Sequence, residues 1–162
     1  MSKRLTALRD ARAAIDHAKD KHAAARAWLR FQHAADDLLR ALPETLSNAR
    51  CIDSNRADGV SDRCPGVAVF REARRLGADF GYCESDAAYA PGDIGWEKYL
   101  ELWPAGPDAD DAWWYVHVAP PCCDECGPET DADARALYGD FLARFPKSRH
   151  RDEALRALRS LK

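Results

Sequence analysis

The sequence predicts an all-α domain of stacked antiparallel helix hairpins, and three observations carry that prediction. Residues 2–42 contain no Gly, Pro or Asn and space their apolar residues as a helix does. A pattern of aromatic, aliphatic and proline residues ending at Pro104 returns 42 residues later, ending at Pro146. The composition, 46% apolar and 31% charged over 162 residues, is that of one globular domain able to bury a substantial core. The domain divides into an N-terminal helical segment (1–50), cysteine-containing loops with one short helix (51–92), and two helix hairpins (93–162).

In the first segment Leu5, Leu8, Ala11, Ile15 and Ala18, then Ala25, Trp28, Leu29, Ala35, Leu38, Leu39 and Leu42, form one apolar stripe, and Pro43 ends it. The polar stretch 17–22 is either a solvated part of one long helix or the turn of a hairpin. A helix of about forty residues is long for so small a domain, which favours the hairpin.

Residues 51–65 crowd turn formers between Cys51 and Cys64 and read as loop. A short helix over residues 66–76 follows, with Val67, Phe70, Ala73 and Leu76 inward and Gly77 as its stop. Residues 78–92, rich in Gly, Asp and Tyr, read as a second loop.

The repeated pattern pairs Tyr99, Leu100, Trp103 and Pro104 with Phe141, Leu142, Phe145 and Pro146. Trp96 falls opposite Tyr138, and Asp110, Asp111 and Ala112 fall opposite Asp152, Glu153 and Ala154. Aromatic and aliphatic residues at helical spacing build one apolar face, and the proline ends that helix. The acid pair suits the N-terminus of the next helix, and the small alanine lets the two helices approach. A fixed period of this length is what repeat architectures produce.

These residues resemble the tetratricopeptide-like repeats of bacterial envelope proteins, in which an aromatic-rich first helix ends in a Phe-Pro-x-Ser turn. Phe145, Pro146 and Ser148 match that turn, with Ala154 at the small position of the second helix; Trp103, Pro104 and Gly106 match it more loosely. The resemblance covers residues 93–161 and lacks the signature of eukaryotic tetratricopeptide repeats. It implies a scaffold that binds other proteins in a groove and performs no chemistry itself. Residues 113–118 are β-favouring in composition, but the repeat register places them opposite 155–160 and predicts helix.

Charge is unevenly spread. Residues 79–133 hold fourteen acids against Lys98 alone, a net of −13, whereas residues 1–50 carry +4 and residues 134–162 carry +5. An acidic surface repels phosphates, so nucleic acid is not the expected partner; a basic peptide, a cation or the chain's own basic ends are. No apolar run reaches the roughly 18 residues of a membrane span. The basic N-terminus lacks the apolar region of a signal peptide, which leaves a cytoplasmic protein or one whose export signal has been trimmed.

The six cysteines, Cys51, Cys64, Cys83, Cys122, Cys123 and Cys126, are the most informative residues for compartment. In an oxidising compartment, periplasmic or secreted, they are disulfide candidates; in a reducing one, Cys123 and Cys126 have the spacing of half a zinc site. The expectation is disulfides and no cofactor, with an intracellular zinc-stabilised module as the alternative. Asp53, Asn55, Asp58 and Asp62 nearly match a calcium loop, but Gly59 is one place late and Cys64 stands where Glu belongs. His33 and Asp37 are four apart on a helix and suit a common ligand, although such histidines are usually only solvated. No nucleophile motif or phosphate loop is present, so no catalytic residue is assigned.

Trp96, Trp103, Trp113 and Trp114 lie inside the acidic segment. Register assigns Trp96, Tyr99 and Trp103 to the core and leaves Tyr82, Trp114 and Tyr115 as the exposed aromatics. With Asp108, Asp110 and Asp111 these form the expected contact surface for a basic partner, through cation–π and charge contacts.

Overall fold

Seven helices and one two-stranded hairpin are formed by the described residues of a computed structural model, which are 2–42, 51, 53, 56, 57, 59–83, 88–118 and 128–161. In chain order they are α1 (Ser2–Asp16), α2 (Lys21–Ala41), α3 (Val67–Arg75), β1 (Phe80–Cys83), β2 (Ala88–Pro91), α4 (Ile94–Leu102), α5 (Ala109–His117), α6 (Asp131–Arg144) and α7 (Arg151–Ser160). None of the described helices is long and apolar enough to cross a membrane.

The stretch 17–20 is a turn, so the N-terminal segment is a hairpin. Asp20 starts α2 by accepting a hydrogen bond from the backbone N–H of Ala23 at 2.8 Å, which also holds its carboxyl below the usual carboxylate range. Helix α2 is buried on two sides. Phe31, Ala35, Leu38 and Leu39 join Leu8 and Ala11 of α1 and Phe70 and Ala73 of α3 in one core. Ala25 and Leu29 join Trp96 and Tyr99 of α4 and Ala109 and Ala112 of α5 in another.

Helix α3 ends where the sequence places its stop. Gly77 has φ 97°, a left-handed conformation that glycine adopts without steric cost. Its N–H bonds the Arg74 carbonyl and the N–H of Ala78 bonds that of Ala73, the paired closure of a Schellman motif. The next segment corrects the expectation of a loop over 78–92, because β1 and β2 pair there antiparallel with Tyr82 opposite Tyr89. Phe80 is buried on Phe70 with ring centroids 5.3 Å apart, and the Tyr82 and Tyr89 rings meet across the strands at the same separation. Aromatic cross-strand pairs of this kind stabilise a short hairpin that composition alone does not reveal.

Residues 113–117 are helical, as the register predicted. Asp110 and Asp111 fall in the first turn of α5, and Asp152 and Glu153 in that of α7. Trp113 and Trp114 pack with Phe141 of α6 and Ala154 of α7 in a third core, so α5 is shared by two cores just as α2 is. The close α2–α4 crossing depends on Gly95: a Cβ there would lie 2.5 Å from the Cβ of Gln32 and 2.8 Å from the Trp28 carbonyl.

Cys51 and Cys64 are joined by a disulfide and both are buried. Cys122, Cys123 and Cys126 lie outside the described residues, as do Asn55 and Asp58 of the calcium-like loop and the side chain of Cys83.

Candidate functional site

Among the recesses that the described helix layers leave, two matter for function. The first, of about 340 Å³, is framed by Gln32, His33, Asp36 and Arg40 of α2, Pro91 and Gly92 after the hairpin, Trp96 of α4, Tyr115 of α5, and Arg149 before α7. Positions 32, 36 and 40 follow helical spacing, so three polar groups of α2 share one face.

Gln32, only 3% exposed, fixes the floor of this pocket. Its amide nitrogen donates to Asp36 Oδ1 at 2.9 Å and to the Gly92 carbonyl at 2.7 Å, and its oxygen accepts from the Gly95 N–H at 2.9 Å. The amide is thereby engaged at both ends and cannot swing. Asp36 is half-buried, and that burial raises its carboxyl pKa above the usual range, with the Gln32 hydrogen bond opposing the shift. Trp96 and Tyr115 stack with centroids 5.0 Å apart and planes 24° from parallel, and His33 meets Trp96 edge-on.

Arg149 is anchored from behind. Its Nε lies 2.7 Å from Asp111 Oδ1, and His150 Nε2 lies 2.9 Å from the same oxygen. The His150 ring in turn stacks flat on Trp114 with centroids 4.7 Å apart.

The second recess, more open and about 590 Å³, runs between the α4–α5 hairpin and the end of α6. Leu100, Pro104, Ala105, Gly106, Trp113 and Phe145 give it an apolar lining, with His117 and Arg144 at the edge. Arg144 is paired with Asp140. Partial shielding of the His117 imidazole lowers its pKa, and the Arg144 charge adds to that effect.

The residues expected to form one contact surface are dispersed over the fold. Tyr82 packs on Tyr89, which belongs to the first core. Asp108 accepts from the buried Tyr99 hydroxyl at 3.4 Å, while the Asp108 N–H donates back to that oxygen at 3.0 Å. Trp114, expected to be exposed, is 4% exposed between Tyr138, Phe141 and His150. Its neighbour Trp113 is buried as well, because α5 is covered on adjacent faces by two hairpins. Tyr115 lines the first pocket and Asp111 positions the arginine at its rim. Asp110 is half-exposed, and its side chain makes no ion pair or hydrogen bond among the described residues.

Asp36, Gln32, Arg40 and Arg149 were not among the sequence candidates. His33 lines the pocket, but its acidic neighbour there is Asp36 and not Asp37. Helical spacing of 32, 36 and 40 was the available signal. Among the described residues no three His, Cys, Asp or Glu side chains converge as a metal site would require.

No family model matches the chain, and neither a curated protein nor a solved structure matches it.

Proposed function

We propose that this chain is a non-catalytic helical-repeat scaffold that docks another protein, with a basic, apolar-anchored segment of that partner lying in the recess between the two C-terminal hairpins. The observation that carries this reading is the open groove lined by Leu100, Trp113 and Phe145, concave and apolar where a binding groove needs to be. The turns on either side of it support its origin in a duplicated hairpin. Trp103 N–H bonds the Tyr99 carbonyl, Gly106 N–H that of Trp103, and Ala112 N–H that of Asp108. The same bonds recur from Phe145 to Phe141, Ser148 to Phe145, and Ala154 to His150, each 42 residues on. The net charge of −13 over residues 79–133 supports a basic partner.

The Cys51–Cys64 disulfide supports residence in an oxidising compartment, periplasmic or secreted. There a stapled loop resists unfolding while the hairpins remain free to bind.

Photo-crosslinking in the source cells tests the docking reading. A benzoylphenylalanine at Ala105, exposed on the groove rim, should give one discrete protein adduct; the same group at exposed Ala132 should not. Asp110→Lys should weaken that adduct if the partner is basic. Identical adducts at both positions, or none at Ala105, would remove the groove as the dock. An adduct indifferent to Asp110→Lys would remove the basic partner alone.

A further inference from the structure

The pocket of about 340 Å³ is separate from the docking groove and has a different chemical character. Its volume is at the lower end of the range for small-molecule sites, roughly 300–1,000 Å³. It suits a single compact ligand better than an extended chain.

Its polar groups differ in sign. Asp36 presents one carboxyl whose Oδ1 is held by Gln32, and no donor among the described residues reaches its second oxygen. Arg40, one turn further along α2, makes no ion pair among the described residues. Arg149 spends its Nε on Asp111, which leaves its two terminal nitrogens free of protein partners among the described residues. Tethering a guanidinium at Nε restricts its rotamers while preserving the terminal pair of N–H donors that grips a carboxylate.

These groups narrow the ligand by elimination. A simple cation meets Asp36 but is repelled by two guanidinium groups. A simple anion meets the guanidinium groups but leaves the free oxygen of Asp36 without a donor, an expensive omission in a half-buried position. A molecule with both signs on neighbouring atoms satisfies all three side chains, and the stacked Trp96 and Tyr115 rings supply a flat apolar wall beside them.

We propose that this pocket binds a free α-amino acid with an apolar side chain: its ammonium on Asp36, its carboxylate on Arg40 and Arg149, and its side chain against Trp96 and Tyr115. Asp36 makes no ion pair among the described residues and feels only the longer-range pull of His33 and Arg40, so an ammonium can provide a direct contact that its burial lacks. Asp111 is then a positioning residue, acting through Arg149. The inference does not depend on partner docking, and its test uses the isolated full chain.

Isothermal titration of the purified protein with L-phenylalanine, 3-phenylpropionate and phenethylamine separates the contributions, since the second lacks the amine and the third the carboxylate. Phenylalanine should bind saturably, and each truncated analogue about tenfold more weakly or worse. Asp36→Asn should weaken phenylalanine and strengthen 3-phenylpropionate, which no longer faces an unpaired carboxylate. Arg40→Gln should weaken both of those and spare phenethylamine. Both variants should keep the parent's circular dichroism, since Arg40 is exposed and an asparagine side chain in place of Asp36 can still accept from Gln32. Three results overturn the proposal: no saturable binding of L-phenylalanine, L-leucine or L-tryptophan; equal binding of phenylalanine and 3-phenylpropionate; or phenylalanine binding indifferent to both variants. A positive titration with no adduct at Ala105 would keep this site and discard the docking groove, and the reverse pair of results would do the opposite.

Discussion

Asp111 of α5 holds Arg149, 38 positions further along the chain, through a 2.7 Å contact between Oδ1 and Nε. The same oxygen lies 2.9 Å from His150 Nε2, and Arg149 Nε lies 3.4 Å from that ring nitrogen. One carboxylate at the start of α5 thus fixes the turn that leads into α7 and sets the position of a cation at the pocket rim.

Asp111→Ala should therefore cost about 1 kcal/mol of stability. Arg149 contributes little of this, because its side chain is 65% exposed and solvent screens the pair; His150, at 12%, contributes more. Urea denaturation of the single variants and of the Asp111→Ala/His150→Ala and Asp111→Ala/Arg149→Ala doubles measures the two couplings. A larger coupling to Arg149 than to His150 would contradict the assignment.

Two glycines in helices should respond with opposite signs. Gly139, in the middle of α6, has open space where a Cβ would go, so Gly139→Ala should stabilise by about 0.5–1 kcal/mol through helix propensity. Gly95→Ala gains the same propensity but drives a methyl into the Gln32 side chain and the Trp28 carbonyl. Overpacking there should cost about 1–3 kcal/mol and disturb the Gln32 network. Thermal unfolding of the two variants side by side checks the contrast, and a stabilised Gly95→Ala would mean that α2 and α4 separate without cost.

Much of this architecture was readable locally. The N-terminal stripe, the Gly77 stop and the acid pairs at the starts of α5 and α7 depend on residues within a few turns of one another. The β hairpin escaped because its strands are four residues long and contain Gly81 and Pro91, residue types that strands disfavour. Trp114 was misplaced because exposure depends on how many hairpins cover a helix, which its own sequence does not encode. The pocket was the least legible feature. Tyr115 and Asp111 were identified as candidates, but Gln32, Asp36, Arg40 and Arg149 come from two distant segments that only the folded layers unite.

The disulfide closes a loop with a sequence separation of 13, over residues whose only other buried apolar anchor in the described part is Val60. Restricting such a loop in the unfolded chain contributes about 3 kcal/mol in the chain-entropy account. The Cys51→Ala/Cys64→Ala double variant should accordingly melt about 5–10 °C below the parent under non-reducing conditions. Calorimetry decides this, and an unchanged melting temperature would show that the loop's burial, not its crosslink, holds it in place.

Asp36 should reveal its role through the direction of a pH effect. Burial raises its folded pKa above the ordinary value of 3.8, so ionisation is harder in the folded chain than in the unfolded one. Below that ordinary value both states are protonated and the group has no effect. As pH rises from that ordinary value towards the folded pKa the penalty grows, and above the folded pKa, where the folded protein carries a carboxylate it disfavours, it is complete. Asp36→Asn removes the penalty while keeping an oxygen for the Gln32 hydrogen bond. The variant should thus unfold at a higher urea concentration than the parent near pH 7, with the difference shrinking to nothing near pH 3. A variant that is less stable at neutral pH would mean that the pull of His33 and Arg40 on the carboxylate outweighs its burial. A variant that is more stable yet fails to bind phenylalanine would identify Asp36 as a residue maintained for its ligand at a cost to the fold.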